Sequence, residues 1–310
     1  MAARARLDAE LVRRGLARSR EQARELVERG AVKINGTVAT KPATNVGRDT
    51  PLVVIDEERD DWASRGAHKL LGALEAFEPQ GLTVVGRRCL DAGASTGGFT
   101  DVLLRREARE VVAVDVGYGQ LIWRLQNDDR VDIHDRTNVR HLTAASIGGP
   151  VDLIVADLSF ISLPLVLPAF VACSRPGADM VPMVKPQFEV GKDRVGAGGV
   201  VRDPELRVEA VAKVAAQAAR LGLSTRAVTA SPLPGPSGNV EYFLWLQRPF
   251  GAMPLPDDRV GNRDGPHAEG AVRVVDEDPA HDAPEGDAPG RDVDPDTIRM
   301  IRQAVDDGPR

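Results

Sequence analysis

Two lysines and two carboxylates stand at the ends of apolar runs in this sequence. Asp157 closes the run in "VDLIVADLSF", Lys185 closes the one in "ADMVPMVKPQF", Glu241 opens "NVEYFLWL", and Lys69 opens the helical stretch "HKLLGALEAF". Mixed charges of this kind can take up and deliver a proton. Asp157 and Lys185 each follow an apolar run, so partial desolvation is expected, and a desolvated lysine gives up its proton more readily. Each residue also has a plain structural reading. Lys185 could pair with Asp157 as a fixed ion pair, Glu241 could lie on the surface, and Lys69 could be a solvated lysine at a helix start. As a set, three of them fall at strand ends, where an open α/β sheet places its active site.

A second cluster surrounds "CLDAGASTGGFTD", Cys89 to Asp101. A strand ends at Asp91, a small-residue loop follows through Gly93, Ala94, Ser95, Thr96, Gly97 and Gly98, and a helix begins. Small residues let a backbone approach a ligand, and a helix start offers unpaired N–H groups. The next strand ends in Asp115, 17 residues after Gly98, where an acid can accept hydrogen bonds from ribose hydroxyls. A phosphate-binding P-loop would end in Gly-Lys-Ser/Thr, which is missing. A dinucleotide fingerprint needs a glycine where Ser95 stands. The Asp91-x-Gly93 opening suits S-adenosylmethionine, whose amino and carboxylate groups need an acid and exposed N–H groups. A glycine turn with no ligand is the remaining alternative. Asp135, in "HDRTN", is placed to border an adenine.

The elements that must hold these residues alternate. Strand-like stretches ("RRCLDAG", "EVVAVDVG", "RVDIHD", "VDLIVADLSF", "ADMVPMVKP", "STRAVTASPL", "NVEYFLWLQR") alternate with helical ones ("GFTDVLLRRE", "YGQLIWRLQN", "LPLVLPAFVACS", "DPELRVEAVAKVAAQAARLG"). Apolar strands with helical crossovers predict an α/β, doubly wound, mainly parallel sheet over residues 66–250. Leu70, Leu71, Leu74 and Phe77 give the helix after Lys69 one buried face. "GKDRVGAGGVVRD", residues 191–203, is a glycine-rich loop, cationic at first, that could close over a substrate or be a plain mobile loop. Residues 251–292 are rich in Asp, Glu, Gly, Pro and Ala and are expected to be disordered. A short helix follows in 293–310, with Ile298, Ile301 and Val305 on one side.

Residues 1–60 read as a separate α+β piece, joined by a linker at 61–65. A helix is predicted over 6–18 and a second after Ser19, with Ser19 and Gln22 as a capping box and Gly30 beyond its end. A hairpin turns at Asn35-Gly36, and "PLVVID" is a further strand. The net charge of −6 is unevenly spread: residues 1–48 hold 11 basic and 5 acidic residues, whereas residues 249–310 hold 7 basic and 15 acidic. The basic end suits a polyanionic partner, although a solvated arginine-rich helix would look the same. No run of 18 apolar residues is present, so no membrane-spanning helix is expected. The early arginines lack an apolar segment after them, so no secretory signal is read. Cys89 and Cys173 lie in apolar segments and read as buried free thiols, with no disulfide framework or metal site. A reducing cytoplasm fits best.

"RLDAELVRRGLARSREQARELVERGAVKINGTVATKP" resembles the alpha-L RNA-binding module of the ribosomal-protein-S-four type. That resemblance implies structured RNA as partner, with Arg6, Arg18, Ser19, Arg20 and Lys33 on phosphates and 2′-hydroxyls. Lys69, Asp157, Lys185 and Glu241 resemble the Lys-Asp-Lys-Glu tetrad of FtsJ-type RNA 2′-O-methyltransferases. The contexts "RGAHKL", "DAGASTGGFTD", "DVGYGQ", "ADLSFISL", "VKPQFE" and "GNVEYFLWL" resemble the TlyA family more narrowly. This implies a Rossmann-like methyltransferase sheet, S-adenosylmethionine as cofactor, and methylation of cytidine 2′-hydroxyls in 16S and/or 23S ribosomal RNA. It implies Lys185 as general base, Asp91 on the cofactor's amino group, Asp115 on its ribose, and an effect on tuberactinomycin-type antibiotics. Arg65 is expected to meet RNA phosphate. A monomer is expected, with no DNA or membrane partner. The family is also labelled hemolysin, so a membrane-active protein is a rival reading. A non-catalytic RNA-binding protein and a small-molecule methyltransferase are others.

Overall fold

The computed structural model describes residues 4–17, 19–54, 62–235, 237–251 and 293–309. They fall into two bodies, Met1–Asp61 and Trp62–Arg310. Arg18 and the 251–292 stretch, apart from Gly251, lie outside the described residues.

In the first body β1 (Arg4–Arg6) leads directly into α1 (Leu7–Arg13) and then α2 (Arg20–Glu28). Strands β2 (Val32–Ile34), β3 (Thr37–Val38), β4 (Asn45–Gly47) and β5 (Leu52–Val54) follow. β1 pairs antiparallel with β4, and β2 lies between β3 and β5. The first helix is shorter than the predicted 6–18. Arg6 is extended and paired with Asn45, and Gly15 (φ 69°) turns the chain away soon after Arg14. The second helix starts as its sequence demands, with Ser19 Oγ accepting from Gln22 N at 3.2 Å. Asn35 (φ 49°) and Gly36 (φ 84°) make the β2–β3 turn with two positive φ angles, the hairpin turn whose twist matches its strands. Leu7, Leu11, Ala23, Leu26, Val27, Val32 and Val46 fill the core of this body.

The second body runs α3 (Ala67–Phe77), β6 (Arg88–Ala92), α4 (Gly98–Arg105), β7 (Glu110–Val114), α5 (Trp123–Gln126), β8 (Val131–His134) and β9 (Val151–Ala156). It continues with α6 (Leu167–Cys173), β10 (Ser174–Val184), α7 (Pro186–Glu189), α8 (Pro204–Arg220), β11 (Ser224–Ala230), β12 (Tyr242–Gln247) and α9 (Pro295–Asp307). Seven strands form one sheet in the order β11-β12-β10-β9-β6-β7-β8. β8, β7, β6, β9 and β10 are parallel, and β12 runs antiparallel to both β10 and β11. From β6 the chain winds outward to β8, then returns to β9 on the other side. The crevice between those halves is where such sheets bind ligands. Central strands are buried on both faces, which is why "VDLIVA" reads as a continuous apolar run. Alternate residues serve two cores, one holding α3 and α4, the other α6, α8 and α9.

Three sequence expectations change here. Helix was predicted across 118–127, but only Trp123–Gln126 is helical. Gly119 takes a positive φ of 62°, which a right-handed helix cannot contain, and two carboxylates hold the turn around it: Asp115 Oδ1 accepts from Gly117 N at 2.7 Å and Asp135 Oδ2 from Gly119 N at 2.8 Å. Trp62 and Ala63, expected in a linker, pack in the second body, with Ala63 N bonded to the buried Asp101 at 2.8 Å. The 191–203 loop forms two short 3-10 turns, Lys192–Arg194 and Ala197–Gly199. Asn239 pins its end by accepting from Val201 N at 2.9 Å and donating to Gly199 O at 2.7 Å. The terminal helix docks through Ile301, Ala304 and Val305.

Candidate active site

Register brings the tetrad together. Val184 pairs with Tyr242 across β10 and β12, so the next antiparallel position sets Lys185 beside Glu241. Ala156 is level with Ala92 on one side and Pro182 on the other. Asp157, one residue on, donates its N–H to Ala92 O at 3.1 Å. Lys69 arrives from the first turn of α3. The resulting contacts are Lys185 Nζ to Asp157 Oδ1 at 2.6 Å, Lys69 Nζ to Glu241 Oε2 at 2.5 Å, and Lys69 Nζ to Asp157 Oδ2 at 3.9 Å. Lys185 also donates to Ser159 Oγ at 2.9 Å. Glu241 is 1% exposed, while the Asp157 side chain is 23% exposed. Asp157 is thus the wetter of two carboxylates shared by two largely buried lysines.

α3 reaches this position because two glycines permit it. A Cβ at Gly98 would lie 2.3 Å from Ser64 Oγ, so the start of α4 presses on the turn that launches α3. A Cβ at Gly72 would lie 2.6 Å from the Pro232 ring, in the loop leading to Glu241.

The glycine loop lies on the neighbouring side of the crevice. Asp91 is completely buried; its Oδ2 accepts from Thr100 Oγ1 at 2.7 Å, and its Oδ1 has no hydrogen-bond partner among the described residues. Burial pushes the Asp91 carboxyl up to about 7 against the Thr100 hydrogen bonds, and Asp157 and Asp115 add to the rise. Gly93 (φ 87°) comes so close to β9 that a Cβ would sit 2.7 Å from Asp157 O. Its N–H and that of Ala94 are bonded to Val114 O. Ser95 takes a positive φ of 47° and donates its N–H to Asp115 Oδ2 at 2.8 Å. Ile122 N is bonded to Thr96 O, and Gly97 (φ 98°) lies under Leu125 and Leu121. Asp91, Asp115 and Asp135 therefore ring one loop at the ends of β6, β7 and β8. Gly93→Ala should cost roughly 1–3 kcal/mol through its strained φ and the clash with Asp157 O, read as a lowered Tm; an unchanged Tm would show the close approach is unimportant.

A cavity of about 790 Å³ opens beside Lys185 and Glu241, lined also by Ser159, Phe160, Gln187 and Phe188. Phe160 is 90% exposed and holds a positive φ of 64°, an uncommon backbone for a bulky residue. Its ring lies 5.4 Å from that of Phe188. Glu189 braces this loop by accepting from Ser162 Oγ at 2.6 Å and Leu163 N at 2.8 Å. Sequence reasoning missed Phe160, Thr100 and Glu189. The only signal for Phe160 was an aromatic three residues after the strand-end Asp157.

In the first body Arg6 and Arg20 converge on the buried Asp8. Ser19 serves as the helix cap, and Lys33 lies half-buried on β2. Arg65 is exposed in the turn before α3 of the second body.

Residues 62–248 match the FtsJ-like methyltransferase family, and residues 5–50 match the S4 domain. The chain belongs to the FtsJ-like methyltransferases. Within them it falls in the TlyA family. The 16S/23S rRNA (cytidine-2′-O)-methyltransferase TlyA of Mycobacterium tuberculosis is 65% identical over 247 residues, covering 80% of this chain and 91% of that protein. Hemolysin A of Brachyspira hyodysenteriae is 34% identical, covering 76% and 97%. A solved hemolysin-labelled structure from Streptococcus thermophilus superposes with a TM-score of 0.63 at 37% identity, covering 80% of this chain and 90% of that one. Among TlyA relatives the hemolysin label thus sits beside a methyltransferase name. Among the described residues here, no helix is long and apolar enough to cross a membrane.

Proposed function

We propose that this TlyA-family enzyme transfers the methyl of S-adenosylmethionine to the 2′-hydroxyl of cytidine in ribosomal RNA. The observation that carries the reading is the pair of contacts at the crevice, Lys185 on Asp157 and Lys69 on Glu241, opening into a cavity with an exposed aromatic. A small hydrophilic acceptor would leave both that cavity and the basic S4 domain without a purpose. The Mycobacterium tuberculosis relative's name supports the same target.

The loop residues fit the cofactor. The partnerless Asp91 Oδ1 is a buried acceptor awaiting a cationic donor such as the cofactor's amino group. The loop from Gly93 through Ala94, Ser95, Thr96 and Gly97 to Gly98 would hold the methionine part, Asp115 has lone pairs to spare for ribose hydroxyls, and Asp135 would border the adenine. When bound, the cofactor supplies an electrophilic methyl on a sulfonium.

The chain's own residues do the rest. A neutral Lys185 would take the proton of the substrate 2′-hydroxyl on its Nζ, leaving the oxygen free to accept the methyl that the cofactor would supply. Asp157 aims Lys185 and holds the ammonium that results. Glu241 fixes Lys69, whose charge steadies Asp157 and the approaching oxygen. Phe160 offers its face to a base drawn out of its stack, which a ribose inside folded RNA requires. Alignment supplies much of the acceleration, and proton removal typically contributes about 10²–10⁴-fold.

Incubating the full chain with labelled S-adenosylmethionine and isolated small or large ribosomal subunits tests the target. Label is expected in RNA of at least one subunit, and the treated ribosomes should gain sensitivity to tuberactinomycin-type antibiotics. Label only in protein or small molecules would reject the reading.

A further inference from the structure

One cluster outside the active site is over-supplied with positive charge. Asp8 in α1 is completely buried. It accepts from Ala9 N at 2.8 Å and from Arg6 in a two-pronged contact, Nε to Oδ1 at 3.1 Å and Nη2 to Oδ2 at 3.0 Å. Those contacts fill three of a carboxylate's about four acceptor positions with one guanidinium already balancing its charge. Yet Arg20 Nη2 approaches the same Oδ2 at 3.1 Å, and Arg24 Nε stands 3.6 Å from it. Three guanidinium groups thus share one carboxylate, leaving two net charges in one place. Their side chains remain 45%, 56% and 56% exposed. The neighbouring acid behaves differently: Glu10 is buried under Arg13 and Arg14, and Arg14 spends its donors on the carbonyls of Gly47, Arg48 and Thr50. That second cluster stitches the fold; the first stops short of the backbone and faces water.

We infer that Asp8 is a positioning residue that gathers Arg6, Arg20 and Arg24 into a preformed clamp for an RNA phosphate, with Arg24 as a contact residue. Convergent guanidinium groups repel one another, and an external anion with several acceptor oxygens relieves that repulsion. Arginine suits it because its planar fork can hold Asp8 on one edge and present further N–H donors on the other. Holding the side chains in place beforehand lowers the entropy lost when RNA docks. The inference rests on ribosomal RNA as the substrate.

Binding of the full chain to the methyl-accepting ribosomal subunit, measured across a salt series, tests it. Arg24→Gln should weaken binding severalfold and reduce the slope of log affinity against log salt by about one. Asp8→Asn is the sharper variant. It removes a negative charge, so simple charge counting predicts tighter binding. The clamp predicts binding weaker by roughly tenfold because the arginines are no longer aimed, with KM rising and kcat little changed. Unchanged or tighter binding by Asp8→Asn would overturn the inference. Should Asp8→Asn lower the melting temperature, the exposed Arg24→Gln decides alone, and a wild-type affinity or slope in it would overturn the inference. Failure of the unmodified chain to bind any subunit would instead strike at the RNA reading itself.

Discussion

Lys185→Ala is expected to slow methyl transfer by about 10²–10⁴-fold, the usual worth of a general base, and to leave cofactor affinity nearly unchanged. Lys185 does not line the glycine loop; its contacts are Asp157 at 2.6 Å and Ser159 at 2.9 Å. Lys185→Arg separates the two readings of this lysine. Arginine keeps the charge and can still pair with Asp157, but it holds its proton at any working pH. A structural ion pair predicts an active Arg variant; a base predicts one as slow as Ala. Single-turnover rates with cofactor saturating, beside calorimetric cofactor affinity, measure both. An Arg variant with normal turnover would remove Lys185 from the chemistry.

Asp91→Asn should have the next largest effect, on cofactor affinity. A hydrogen bond to a charged partner is worth about 1.5–3 kcal/mol, so affinity should fall roughly 10- to 150-fold. The unmodified enzyme should also show a pH signature. Burial raises the Asp91 carboxyl from 3.8 to about 7 in the folded chain. The folded state then holds a proton that the unfolded state has released between those values. The cofactor-free enzyme therefore loses stability from this group as pH rises through that window. A cationic amino group beside Oδ1 favours the ionised carboxylate, so cofactor binding should release a proton below about pH 7 and tighten as pH rises toward it. Calorimetry in two buffers of different ionisation heat reads the proton directly. Proton release that persists in Asp91→Asn would assign it to another group.

Much of this was legible in the sequence, for physical reasons. Strands buried on both faces cannot hide as loops, so "RCLDA" and "VDLIVA" declared themselves. Strand-end charges stand out against such runs, which is how Lys185 and Asp157 were found, and the fixed α3 start did the same for Lys69. The failures were local competitions. The helix foreseen at 118–127 lost its first turn to the left-handed backbone of Gly119 (φ 62°), whose amide is held by Asp135, a carboxylate too distant in sequence for a local pattern to register. Residues 62–63 joined the second body because Asp101, buried nearly forty residues later, needed the Ala63 N–H. Phe160 escaped notice because its meaning lies in a backbone angle and in Phe188, neither of which is written beside it. Asp8 carries no sequence signal of its own, because its part is set by three arginines from two elements that share it.

Nucleoside analysis of ribosomal RNA after reaction with the enzyme and isotopically labelled S-adenosylmethionine tests the central claim most directly. The expected product is 2′-O-methylcytidine carrying the label, formed by the unmodified chain and lost in both Lys185→Ala and Lys185→Arg. Label on a base atom, on another nucleoside's ribose, or undiminished in the Lys185 variants would contradict the account.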